Sequence, residues 1–273
     1  VRYLRSIGTE TPLQDPVPEL RFYAGLFRPI NSLSTRLGIS LPWLFAIVFV
    51  IVAGCGGSTE PEAVSPPATP VPLLSAKEVI EMSQSSMAAL KSFSFELTHD
   101  EGATLLPGGF EIHESSGIVS APDRVSLTAD ATFSGLFVKI DAVIFPDLTY
   151  MTNPLTGNWN LLHGDESPFA VFDPPSLISD ILSEITTTEY SVDSDSNHFP
   201  IRLEGELPAF AMRNLVGGTD PDKTLDYLME IDAEFRLLSV DLTGVIRSGE
   251  EPDVRRTIAL GDFDVPVTIE SPI

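Results

Sequence analysis

From Phe93 toward the C-terminus, apolar residues recur at every second position, the period of a half-buried β-strand. The alternation is clearest at Val125, Leu127, Ala129, Ala131 and Phe133, and again at Leu136, Val138, Ile140, Ala142 and Ile144. Ser126, Thr128, Asp130, Lys139 and Asp141 fill the opposite positions, and Ser134-Gly135 between the runs reads as a hairpin turn. One apolar face and one wet face predict antiparallel strands covered on a single side. Further runs at 93–98, 110–119, 148–152, 189–193, 199–207, 225–235, 237–245, 254–260 and 265–269 bring the strands to about ten or more. That number does not suit a flat sheet, so strong curvature or partial barrel closure is expected.

The period changes at three places. Residues 75–90 carry Ser75 and Glu78 in capping-box spacing, with Val79, Met82, Met87 and Leu90 at helical intervals. Asp173 to Ile185 opens with an acidic cap and two prolines and then places Leu177, Ile178, Ile181 and Leu182 on one face. Pro208 to Val216 is a short helical segment closed by Gly217-Gly218. Helices laid over the apolar side of a curved sheet give an α+β fold: a strongly curved antiparallel half-barrel with helices covering its concave face and an apolar cavity between. The lining is expected from Val125, Leu127, Val138, Ile140, Ile201, Leu203, Val240 and Leu242 on strands, and from Leu177, Ile181 and Leu182 on the helical cover.

Ahead of this domain lies an uncharged run of thirteen apolar residues, LPWLFAIVFVIVA (41–53), behind Arg28 and Arg36. It has the length and polarity of a signal-peptide core and is short of the roughly 20 residues a transmembrane helix needs. The run ends in Val52-Ala53-Gly54-Cys55, which resembles the bacterial lipobox, whose cysteine is acylated on sulfur and becomes the new N-terminus. Cys55 is the only cysteine, so neither a disulfide framework nor a cysteine metal site is available, and the expected role is a lipid anchor. The residues ahead of about 30 exceed what a signal peptide needs and read as an over-extended or alternative-codon start. Residues 1–54 are thus assigned to the extension and signal peptide, 55–74 to the acylated cysteine and a Pro/Ser/Thr-rich linker, and 75–273 to the folded domain.

Charge supports the anchor. The chain holds 16 basic and 39 acidic residues, and residues 1–54 contain five of the former and only three of the latter. A surface this acidic disfavours nucleic acid and anionic head groups, so a covalent lipid is the better attachment to the plasma membrane.

Catalytic patterns are weak. Gly-x-Ser-x-Gly, phosphate-loop, dinucleotide and Cys-x-x-Cys motifs are all missing from the sequence. His113-Glu114 opens like a zinc-protease motif, but Gly117 stands where the second histidine belongs. Asp193, Asp195, Asn197 and Glu204 match four positions of a calcium loop, yet His198 replaces its glycine and Phe199 onward alternates as a strand. An acidic turn is the expectation there, and neither enzyme activity nor a cofactor is expected.

Four segments in order, FDPPSLISDILSEI (172–185), HFPIRLEGELPAFAMRNLVGG (198–218), EIDAEFRLLSVDLTG (230–244) and TIALGDFDVPVTIESP (257–272), resemble the LppX/LprG lipoprotein family. The resemblance implies a half-barrel similar to the LolA/LolB lipoprotein carriers, enclosing an apolar cavity for the acyl chains of glycolipids or other long-chain lipids, with no catalytic residue. It also implies an extracytoplasmic carrier served by a lipid transporter or acceptor. The alternative left open by the residues is a structural or partner-binding cell-envelope lipoprotein with a filled core.

Overall fold

A computed structural model describes residues 73–273 apart from Asp193; the apolar run, Cys55 and the linker up to Pro72 lie outside the described residues. The chain forms β1 (Ser92–Glu101), β2 (Thr104–Leu106), β3 (Phe110–Ser120), β4 (Arg124–Phe133), β5 (Leu136–Phe145), β6 (Leu148–Thr152), β7 (Trp159–His163), β8 (Thr187–Tyr190), β9 (Ile201–Pro208), β10 (Thr224–Ile231), β11 (Leu237–Thr243) and β12 (Arg255–Gly261). Helix α1 (Ala76–Ala88) precedes them, α2 (Pro174–Ser183) falls between β7 and β8, and α3 (Arg213–Val216) follows a 3-10 turn after β9.

All pairings are antiparallel, in the order β7-β6-β5-β4-β3-β1-β12-β11-β10-β9-β8, with β2 added beside β3. β7 and β8 are the two free edges, so the sheet is a large open half-barrel rather than a closed one. The Ser134-Gly135 hairpin forms as expected: both residues have positive φ, the backbone a tight two-residue turn demands, and Phe133 pairs with Leu136. A bulge between Ile112 and Glu114 shifts the parity of β3, so that Phe110 and Ile112 and then Ser115, Gly117 and Val119 share the inner face.

The helices cover that inner face. The Ser75 hydroxyl accepts from the Glu78 amide while the Glu78 carboxylate accepts from the Ser75 amide, which fixes where α1 begins. Its buried face is Ala76, Val79, Ile80 and Ser83, rotated from the expected one, and Met82 is 39% exposed. Asp173 caps α2, accepting from the Ser176 amide at 3.2 Å. α2 and α3 are joined by Asp180, which accepts from the Arg213 guanidinium and, at 2.6 Å, from the Asn214 amide.

Two expectations are corrected. β2, only three residues long, and β7, largely exposed, form outside the alternating runs. Residues 265–269 alternate but carry no strand: positive φ at Asp262 and Asp264 turns the chain away, and the Asp264 carboxylate accepts from the Lys91 amide. Among the described residues, no helix is long and apolar enough to cross a membrane.

Candidate functional site

The eleven residues expected to line a cavity are all buried in one apolar layer between sheet and helices. Val125, Leu127, Val138 and Ile140 come from β4 and β5, Ile201, Leu203, Val240 and Leu242 from β9 and β11, and Leu177, Ile181 and Leu182 from α2. This layer is nearly filled. It holds two internal hollows of about 20 Å³ each, room for roughly one water apiece.

Leu97, Ser115, Phe172 and Leu215 border both hollows, so the two are neighbours. The first is closed by Phe93, Phe95, Leu177, Ile178 and Ile258 among others, the second by Thr104, Leu106, Ile112, Leu127 and Phe169. Leu177 and Leu127 are therefore the expected residues that border an internal hollow. Val125 borders a third, surface pocket of about 200 Å³ between the start of α2 and the β4–β6 end of the sheet. Val138, Ile140, Ile181, Leu182, Ile201, Leu203, Val240 and Leu242 are buried without bordering any of the three.

Phe172 borders all three hollows. Its ring lies edge-on to that of Phe95, with centroids 5.5 Å apart, and so stands between the surface pocket and the interior. The β1 aromatics and Phe172 join the site beyond the expected lining; alternation at Phe93, Phe95 and Leu97 signals the former, and no periodicity signals Phe172.

The second hollow has one polar side. Thr104, at the second hollow, is fully buried and its Oγ1 lies 2.8 Å from His99 Nε2; His99 Nδ1 lies 2.7 Å from the His113 carbonyl. A carbonyl can only accept, so Nδ1 carries the proton and Nε2 accepts from the threonine hydroxyl. Burial holds His99 below its usual pKa of 6.5, the nearby Arg256 lowers it further, and the His113 carbonyl opposes the shift. In the linkage, unfolded His99 takes up a proton as pH falls through about 6.5 while the folded ring resists, so stability declines below that pH and is unaffected above it. A His99→Gln variant should therefore lose less stability than the parent between about pH 7 and 5; equal slopes in urea melts would contradict the assignment.

Beyond His99, β12 carries Arg256 on the inner face, paired in register with His99 on one side and Leu242 on the other. Arg256 is 1% exposed. Its Nη2 donates to Glu250 Oε2 at 3.1 Å, and the same oxygen accepts from the Ile246 amide at 2.8 Å. Among the described residues, Arg256 Nε and Nη1 and Glu250 Oε1 have no partner.

The other candidate sites resolve differently. His113 Nε2 lies 2.8 Å from the Thr132 hydroxyl on β4, and Gly117 lies beneath the Phe95 ring. Asp193 is outside the described residues; Asp195 accepts from the Asn197 amide and lies against His198, as an acidic turn, while Glu204 sits in β9 opposite Glu189 and Leu228. A further hollow, about 820 Å³, is an open groove on the outer face across β8–β11, bordered by Glu189, Glu204, Glu206, Asp226 and Asp241. Its lining is acidic and wet, unsuited to an acyl chain.

No protein-family model matches the chain, and no curated protein matches its sequence. Among solved structures, LprF from Mycobacterium bovis superposes with a TM-score of 0.52 at 14% identity, over 72% of this chain and 96% of that one. The Mycobacterium tuberculosis lipoprotein LppX aligns with a TM-score of 0.47 at 14% identity, over 71% of this chain and 98% of that one. At this identity the likeness is one of architecture: the open antiparallel half-barrel with helices over one face, implied by the LppX/LprG resemblance, is the fold this chain shares with LprF.

Proposed function

We propose that this protein is a lipid-anchored, extracytoplasmic carrier that holds acyl chains between its sheet and its helical cover. Cys55 is the anchor to the outer face of the plasma membrane, and the linker holds the domain off that surface. The observation that carries the reading is the line of three hollows meeting at Phe172, running from a surface pocket into an almost wholly apolar interior. An acyl chain needs no catalytic group to be retained, because each buried methylene contributes about 0.8 kcal/mol. Outward movement of α2 and Phe172 would join the hollows, with Leu127 and Leu177 at the first walls and the other expected lining residues exposed as the layer parts. The ligand is an acylated lipid or glycolipid, delivered or received by a transporter or acceptor.

The small volume of each internal hollow favours a second reading, a structural or partner-binding lipoprotein whose core is simply filled. Organic extraction of the purified protein followed by mass spectrometry separates the two. Recovery of long-chain lipid in near-stoichiometric amount is expected. Phe172→Ala, which removes the ring common to the three hollows, should raise the binding of an apolar fluorescent dye by about tenfold, the worth of two buried methylenes. No recovered lipid, together with dye-silent parent and variant, would leave the filled-core reading standing.

A further inference from the structure

Arg256 is a cation placed where a lipid carrier has no structural need of one. The residue is on the inner face of a strand whose neighbours in parity are Val254, Ile258 and Leu260, and a hydrocarbon side chain would fit that pattern. Burying a guanidinium is costly unless its donors are met. Here one nitrogen is met by Glu250, and two find no partner among the described residues. Glu250 itself reaches inward from the irregular segment that joins β11 to β12, and one of its two oxygens is idle. The ion pair is therefore incomplete on both sides.

Its position continues the line of hollows. Thr104 borders the second hollow, Thr104 lies against His99, and His99 pairs across the sheet with Arg256. The segment bearing Glu250 closes this end: Arg247 donates to the Leu105 carbonyl of β2 and, at 3.4 Å, to the Val216 carbonyl of α3, and the Asp220 amide donates to the Ile246 carbonyl.

Resting on the carrier reading, we propose that Arg256 is the anchor for the anionic head group of a single-chain amphiphile. The head group takes the place of the Glu250 carboxylate, and the alkyl tail runs back through the two hollows toward Phe172. A fork-shaped oxyanion could meet the Arg256 donors that Glu250 leaves idle, whereas a neutral ester could not. Glu250 serves as the internal stand-in that keeps the charge paired when no ligand is bound. A carboxylate and a phosphate share this chemistry, and the ligand's own head group decides between them.

The test uses the intact protein and three probes below their aggregation limits: palmitate, its methyl ester, and hexadecyl phosphate. The parent should bind palmitate or hexadecyl phosphate, whichever head fits, about tenfold more tightly than the ester, the worth of one charge-assisted contact. Glu250→Gln removes the competing charge and should widen that preference by about tenfold again. Arg256→Met combined with Glu250→Met removes both charges without orphaning either and should bind acid and ester alike. The double variant keeps the test open if the single one fails to fold, as judged by near-ultraviolet dichroism. An acid-to-ester ratio unchanged in the folded double variant would overturn the anchor while leaving the carrier reading intact. Failure of the parent to bind any of the three probes would overturn both.

Discussion

Arg256→Met alone is expected to destabilise the protein by about 3–5 kcal/mol, because it leaves a buried carboxylate without its cation. Glu250 would then keep only the Ile246 amide, in a position where its side chain is fully buried. Adding Glu250→Met should return stability to within about 1 kcal/mol of the parent, since an apolar pair of similar volume avoids desolvating two charges. Urea denaturation of the four proteins closes the cycle, and the coupling should rival the single-variant cost. A cost below about 1 kcal/mol for Arg256→Met would mean that water reaches the pair and that the segment joining β11 to β12 stands open in solution.

Gly117→Ala should cost about 3 kcal/mol, a large effect for a single methyl group. A Cβ there would collide with the Ser126 carbonyl oxygen of β4 and stand 2.7 Å from the Phe95 ring. Gly117 lies between β1 and β4, opposite Phe95 and Leu127, so neither neighbour can retreat without breaking ladder pairs on both sides. The same close approach means that position 117 has no room for a second histidine after His113-Glu114. A Gly117→Ala protein that melts with the parent would show that Phe95 swings into the adjacent hollow at little cost.

What could be read from the chain follows from how local the cause is. Ser75, Glu78, Asp173 and Ser134-Gly135 act within a few residues, and the caps and turn they specify form as their chemistry predicts. The long strands β4 and β5 announce themselves by alternation because one face is buried along their whole length. β2, with three residues, is too short to show a period and exists because β3 offers it an edge. Residues 265–269 show the converse, a correct period overruled by a turn and by Ser92 and Lys91, which hold the chain through Val265 and Asp264. Burial of the expected lining residues was legible in the same alternation, but whether a buried side chain borders a hollow depends on volumes contributed by several elements at once. Arg256 stands in the parity of Val254, Ile258 and Leu260, but its partner Glu250 lies in an irregular segment with no period, so the pair shows only in the fold.

The strand order also has a kinetic meaning. The first and last strands, β1 and β12, are neighbours near the middle of the sheet, with residue 94 opposite residue 261. On either side of that seam, most pairings join strands adjacent in the chain and can assemble locally. The seam cannot be sewn until β12 exists, and until then β1 keeps one bare edge. Such long-range closure is intrinsically slow. Until the seam closes, the two halves of the sheet are separate arms, and the bare side of β1 is open to pairing with any other extended strand.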